Sequence, residues 1–473
     1  MEPASALANA DYRILSRQTI IRVNIMLVDT DFCLIVYRQI IPKPRIFDEG
    51  NVSTQKTATV RDLIQSLLNG EAMISSGSGS RLVLVLLTLS LPIYLPVVFM
   101  LGPLLAQLAW EFDTSVAITG QLASATFLAW GVGAILTAPL SDSFGRRPVL
   151  LVALFLTAAL VALSGIAWNY SSLLVLRVVT ALIASALPTT TMAAIIDLLP
   201  PESRSRGLAV VSSTIMLGLL LGVPAVSLVA DTLGWRGPFF AIAAALVIIM
   251  VVVFFTVPKQ TRGDTERSSG FFSHREAYVA LSKRFDLWLV LMGNLVLRAN
   301  SAVIVTYMAA FLIVSHALDE GQVALPLALV SLGLVIGSLA GGEVSRNRWG
   351  LLILAVTSIM AGLTGTFLFE SALNTCVSVG MGFSVGALTH LAMPAFLNIV
   401  ARVSGEHRSS AMGLFAVTNQ WGSLLGAAPG GLILAKGGYG PLGFLLLGLA
   451  LVGSAICLVL WKRQNAEHRR QTS

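Results

Sequence analysis

Arg298 lies within the apolar run LWLVLMGNLVLRANSAVIVTYMAAFLIV, residues 287–314. A run of that length crosses about 30 Å of hydrocarbon as a helix. A guanidinium at that depth is costly unless it faces a cavity, a partner or the interior of a bundle. Asn294 is one helical turn earlier on the same face, so the two residues form the first candidate for ligand contact. The alternative is a structural arginine bonded to backbone carbonyls or to Asn300. His390 is the histidine that falls inside an apolar run, and titration near neutral pH suits it to proton coupling. A neutral, hydrogen-bonded ring is the competing reading. Asp142 and Asp197 are the other candidate proton carriers.

Asn419, Gln420 and Trp130 extend the candidate ligand contacts, with Trp421, Gln121, Thr189 to Thr191 and Tyr94 as further residues able to line a cavity. Hydrogen bonding between helices accounts for many such residues without a ligand. Arg177 lies in the outer half of the run 172–197, and for it a structural role is preferred to ligand contact. The run 82–104 holds no acid, and Asp197, Asp231, Glu343 and Glu370 stand at the ends of apolar runs. With no mid-membrane carboxylate to receive a cation, a neutral or anionic ligand is expected.

Other chemistries are missing. There is no phosphate-cradling G-x-x-x-x-G-K-[ST] loop and no H-E-x-x-H pair, so neither ATP-driven transport nor zinc-protease chemistry is expected. Cys33, Cys376 and Cys457 lack paired spacing. No metal, cofactor or enzymatic activity is expected.

The elements that must position these residues are membrane helices. Apolar residues make up 55% of the 473 and charged residues 12%, about half the charge of a soluble domain. Twelve candidate spans follow: 82–104, 116–140, 149–167, 172–197, 208–230, 238–257, 286–314, 322–343, 350–369, 372–400, 409–433 and 441–461. Arg146 and Arg147, Arg204 and Arg206, Lys259 through Arg284, Arg346 and Arg348, Arg402 and Arg408, and Lys462 to Arg470 fall on one side of that topology, with Arg236 and Lys436 on the other. The positive-inside rule makes the first side, and both termini, cytoplasmic. The net charge of +7 reflects this bias; the clustered basic face of a nucleic-acid binder is absent.

Residues 1–81 do not fit this pattern. Arg22, Asp29, Asp31 and Arg38 interrupt the apolar segment 19–41, which is neither a thirteenth span nor a signal peptide. It reads as a cytoplasmic extension or as an overlong gene start with translation beginning at Met73, and the second reading is preferred.

A shift of 204 positions brings the two halves into register. Glu202 then meets Glu406, Arg204 meets Arg408, Gly133 meets Gly337, Gly218 meets Gly422 and Gly222 meets Gly426. The expected layout is a six-helix bundle over 82–257, a cytoplasmic linker over 258–285, a second bundle over 286–461 and a tail over 462–473. The pairs Gly218/Gly222 and Gly422/Gly426, with Pro224, are read as close helix contacts.

Asp142, Gly145, Arg146 and Arg147 between spans 2 and 3 resemble the signature loop of the major facilitator superfamily, G-x-L-x-D-x-x-G-R-R/K, with Ala138 in place of the leading glycine. Leu173, Arg177, Ala181, Ala184 and Ser185 resemble its second motif, which implies a packing or coupling role for Arg177 and groups it with the gating residues. Gly218, Gly222 and Pro224 resemble the third, associated with the twelve-span drug:proton antiporter branch, although the proline lies one residue late. The resemblance implies an all-α membrane fold of twelve helices in two pseudo-symmetric six-helix bundles. It also implies a cytoplasmic latch, with Asp142 facing the start of span 11 near Ser409 and an arginine of the loop pairing with Asp197. Such a latch favours the outward-open state. The function expected is secondary active transport by alternating access, as proton-coupled efflux of a small amphipathic neutral or anionic compound. A metabolite importer or facilitator on the same fold is the alternative, and a non-transporting sensor or scaffold is the reading from another class. The expected partners are a small-molecule substrate, protons and the bilayer of the cell membrane, without nucleic acid, and the expected state is a monomer.

Overall fold

The computed structural model describes residues 78–198, 204–257, 279–370, 373–405 and 408–472. The side chains of 78–82, 84, 138, 139, 142, 196–198, 204–213, 256, 408, 409 and 467–472 lie outside that description. The expectations for residues 1–77, most of the linker, and the side chains of Asp142, Asp197 and Ser409 therefore fall outside the described residues.

The first half comprises α1 (Ser78–Phe99), α2 (Leu101–Glu111), α3 (Val116–Phe144), α4 (Arg146–Gly165), α5 (Tyr170–Ala184), α6 (Ala186–Leu198), α7 (Arg204–Leu233) and α8 (Arg236–Thr256). The second comprises α9 (Phe285–His316), α10 (Ala324–Val344), α11 (Gly350–Leu368), α12 (Thr375–His390), α13 (Ala392–Val403), α14 (Arg408–Gly437) and α15 (Leu442–Thr472). No strand occurs among the described residues. Helices dominate because backbone N–H and C=O groups in hydrocarbon must be satisfied within the segment.

The helix breaks have local causes. Pro188 and Pro394 each lie three residues beyond a break, at Ser185 and Leu391. A proline supplies no N–H to the carbonyl four residues back, so Ala184 and His390 lose their helical donors. Across these breaks α5 with α6 and α12 with α13 each form one span, as do α1 and α2.

Among the described residues, eleven helical stretches are long and apolar enough to cross a membrane. The segment read as span 11 is the thirty-residue helix α14, which is not among the eleven. Thr418, Asn419, Gln420 and a series of glycines dilute its apolar character.

The duplication reappears in the packing. A Cβ at Gly218 would strike Pro92, and one at Gly222 would strike Pro96. Their counterparts Gly422 and Gly426 meet the backbone carbonyls of Leu295 and Ala299. Thus α7 packs on α1 as α14 packs on α9, at positions that the 204-residue shift matches to within one residue. Gly133 against the Leu182 carbonyl and Gly337 against that of Ala387 repeat the correspondence. Where hydrocarbon surrounds a protein, close backbone approach and interhelical hydrogen bonds replace hydrophobic exclusion as the force between helices. Exposed Phe155, Ile248, Leu339 and Leu432 face outward accordingly.

Candidate functional site

The polar residues of the second half assemble where α9, α12 and α14 meet. Asn294 is fully buried, and its Nδ2 donates to Thr418 Oγ1 at 2.9 Å, Asn419 Oδ1 at 3.0 Å and the Phe415 carbonyl at 3.3 Å. One side chain thereby ties α9 to α14. Because Asn419 accepts through its oxygen, its own amide nitrogen remains available as a donor.

One turn further along α9, Arg298 Nη1 lies 3.5 Å from His390 Nε2. Ser301 Oγ lies 3.5 Å from His390 Nδ1 and 3.1 Å from the Leu297 carbonyl, to which it donates. A guanidinium can only donate. Nε2 is therefore the acceptor, Nδ1 carries the hydrogen, and the chain runs from Arg298 through His390 and Ser301 to the backbone. His390 is positioned for this by the break at Leu391, which ends α12 at the histidine itself. Arg298 is half-buried, its Nε has no hydrogen-bond partner, and no carboxylate pairs with it among the described residues. Gln420 Oε1 and Asn294 Oδ1 are likewise buried without partners. The cluster thus presents a cation and several unfilled hydrogen-bonding positions in the middle of the membrane helices. Trp130 is buried in the hydrophobic core of the first half, while the indole of Trp421 lies against Gly131.

The 204-residue shift places Ser90 on Asn294, Tyr94 on Arg298 and Thr214 on Thr418. In the first half the Tyr94 hydroxyl donates to Ser90 Oγ at 3.0 Å and lies 3.4 Å from Thr191 Oγ1. The two halves therefore carry related polar centres, neutral hydroxyls in one and a guanidinium in the other.

Arg177 is fully buried in α5. Its guanidinium donates to the Val97 carbonyl and approaches Met100 Sδ at 3.8 Å, at the interruption between α1 and α2. It thereby ties α5 to the junction of α1 and α2.

Gly145 separates α3 from α4 with φ +88° and ψ 155°, a conformation confined almost entirely to glycine. The turn aims Arg146 Nη1 at Ser141 Oγ, 2.9 Å away. Arg147 Nη2 donates to the Phe254 carbonyl at 2.6 Å, and its guanidinium lies 5.5 Å from that residue's ring centroid. Arg147 therefore serves the C-terminal end of α8, where cations suit unpaired carbonyls.

Several contacts between the halves lie toward the end of the bundle away from this turn, in addition to that of Trp421 with Gly131. Gln121 Nε2 donates to the Ala428 carbonyl at 3.4 Å. Tyr307, whose hydroxyl donates to the Ala427 carbonyl at 2.6 Å, occupies the space over Gly120. Gly102 abuts the Val305 carbonyl, and Gly321 abuts the Asp231 carboxylate.

A helical membrane protein of two related bundles, with a polar centre between its helices and a charged turn after the second span, belongs to the class of membrane transporters. The sequence profile of the Major Facilitator Superfamily matches residues 87–393, and the chain belongs to that family. It is 28% identical over 363 residues to the inner membrane transport protein YdhP of Escherichia coli strain K12, covering 74% of this chain and 89% of that protein. It is 29% identical over 250 residues to a chloramphenicol resistance protein of Streptomyces lividans, covering 53% of this chain and 63% of that one. Among solved structures, a bacterial homolog of the human lysosomal transporter Spinster, inward-facing and unoccupied, superposes with a TM-score of 0.63 at 18% identity. That match covers 82% of this chain and 96% of the other, and it establishes the fold.

Proposed function

We propose that this transporter works by alternating access and exports a small amphipathic compound, neutral or anionic, in exchange for protons across the cell membrane. The observation that carries the ligand assignment is Arg298, a guanidinium without a carboxylate partner among the described residues, beside a histidine that can only accept from it. A ligand carboxylate or other acceptor would supply the missing counter-charge, with Asn419 and Gln420 as additional polar contacts and Trp130 as an aromatic one. Helix α14 would act as the twelfth span despite its polar content. With the basic loops placed inside, the contacts between Gln121 and Ala428 and between Gly102 and Val305 lie at the outer end of the bundle. Asp142, Gly145, Arg146, Arg147 and Asp197 would form the latch that closes the inner side in the outward-open state.

The export direction rests on the resemblance of Gly218, Gly222 and Pro224 to the antiporter motif and on the name of the Streptomyces lividans relative. His390 and Asp142 are the proposed proton carriers. A ligand that draws Arg298 away from Nε2 would leave that nitrogen free to take a proton. That order also favours a second reading, in which an anion and a proton move together inward on the same scaffold. Everted vesicles supplied with a proton gradient separate the two readings: gradient-dependent accumulation supports export, whereas accumulation seen in whole cells and not in everted vesicles supports uptake.

A further inference from the structure

We propose that the recess between the ends of α9, α13 and α15 binds the phosphate of an anionic phospholipid. The recess has a volume of about 240 Å³ and is lined by Asp286, Ile399, Arg402, Val403, Leu460 and Arg463, with Gln464 at its edge. At ~30 Å³ per water molecule it has room for far more than a single bridging water.

Each of the three helices contributes an end of its membrane span: Asp286 is in the first turn of α9, Arg402 in the last turn of α13, and Arg463 near the end of the apolar part of α15. The recess therefore sits where the hydrocarbon of a bilayer gives way to headgroups. Arg463 Nε is bonded to Asp286 Oδ1 at 2.5 Å, and its guanidinium stands 5.0 Å from the centroid of the Phe285 ring. Its Nη nitrogens and the whole exposed guanidinium of Arg402 have no partner among the described residues. Arg284 closes the neighbouring rim by donating to the Val403 carbonyl.

The charges explain why an anion is selected. Asp286 pairs with one of the two arginines and the other has no carboxylate partner among the described residues, while Lys283, Arg284 and Lys462 add positive charge at the same end of the bundle. Arginine forks suit phosphate oxygens, and basic pockets between membrane helices at headgroup depth hold anionic lipid heads. The walls explain why the ligand is a lipid and not a free ion. Ile399, Val403 and Leu460 are apolar, and the outward-facing Phe285 and Trp288 flank the entry to α9. A phosphate seated here would link the helix that carries Arg298 to α13 and α15 without touching the ligand cluster.

Binding of short-chain phosphatidylglycerol to the full chain in detergent, measured by native mass spectrometry, tests this directly. Phosphatidylglycerol should bind at least fivefold more tightly than phosphatidylcholine of the same chain length. Arg402→Gln should abolish that preference and Arg402→Lys should keep most of it, with unchanged thermal unfolding showing that both variants fold. Equal binding of the two lipids, or an unchanged preference in Arg402→Gln, would overturn the proposal. So would displacement of phosphatidylglycerol by inorganic phosphate at equal concentration, which would mark a site for the free ion.

Discussion

Gly426 offers a sharp test of how α9 and α14 are held together within the second half of the transporter. A Cβ built there would collide with the Ala299 carbonyl oxygen and lie 2.8 Å from its carbon and 3.0 Å from its Cα. Ordinary contact begins near 3.4 Å, so Gly426→Ala must push α9 and α14 apart by about 0.6 Å or more. Neither backbone can rotate out of the way as a flexible side chain would. Overpacking of this kind costs about 1–3 kcal/mol, or a change of roughly 5- to 150-fold in the ratio of folded to unfolded protein. The separation also stretches the bonds from Asn294 to Thr418 and Asn419, which start at 2.9 and 3.0 Å. Gly413, on the same helix with nothing within 4 Å of its added Cβ, is the matched control. Thermal unfolding in detergent should show Gly426→Ala clearly destabilised and Gly413→Ala unchanged or slightly stabilised by its better helix propensity. Equal behaviour of the two variants would refute the claim that close backbone approach at Gly426 sets the distance between α9 and α14.

Other consequences can be checked alongside it. Arg177→Met removes the donor to the Val97 carbonyl and should cost about 1–3 kcal/mol in unfolding experiments, while leaving ligand affinity within twofold. Gln121→Ala breaks the link to Ala428 across the halves, worth ~0.6 kcal/mol in a membrane setting. It should raise the population open at that end about threefold, seen as faster labelling of cysteines placed there. Asp142→Asn should weaken closure of the other end and lower transport without abolishing ligand binding; unchanged transport with unchanged cysteine accessibility would remove the latch from the mechanism.

Much of the fold was legible because its causes are local. Apolar runs announce helices, and the match of Gly218 and Gly222 with Gly422 and Gly426 pointed to contacts found on Pro92, Pro96, Leu295 and Ala299. The breaks at Ser185 and Leu391 were not anticipated, although Pro188 and Pro394 give each its cause. Arg298, Asn294, Asn419 and His390 stood out as polar residues in apolar runs, and the fold brings them into one cluster. Their detailed partnership was not readable, since the direction in which His390 points depends on where α12 ends. Tyr94 and Thr191 stood among the residues able to line a cavity, but their joining with Ser90 was not readable, because hydroxyls in membrane helices commonly bond to their own backbone, as Thr180 does to Leu176.

The measurement closest to the central claim compares Arg298→Gln with Arg298→Lys for gradient-driven accumulation in everted vesicles, using carboxylate compounds and their uncharged methyl esters. Loss of a charge-assisted hydrogen bond of about 1.5–3 kcal/mol predicts a fall of roughly 10- to 150-fold for the carboxylates in Arg298→Gln. A smaller loss is expected in Arg298→Lys and little change for the esters, with thermal unfolding unaltered in both variants. Wild-type rates in Arg298→Gln, or a wild-type protein that carries lipophilic cations and neither of the other two classes, would contradict that claim.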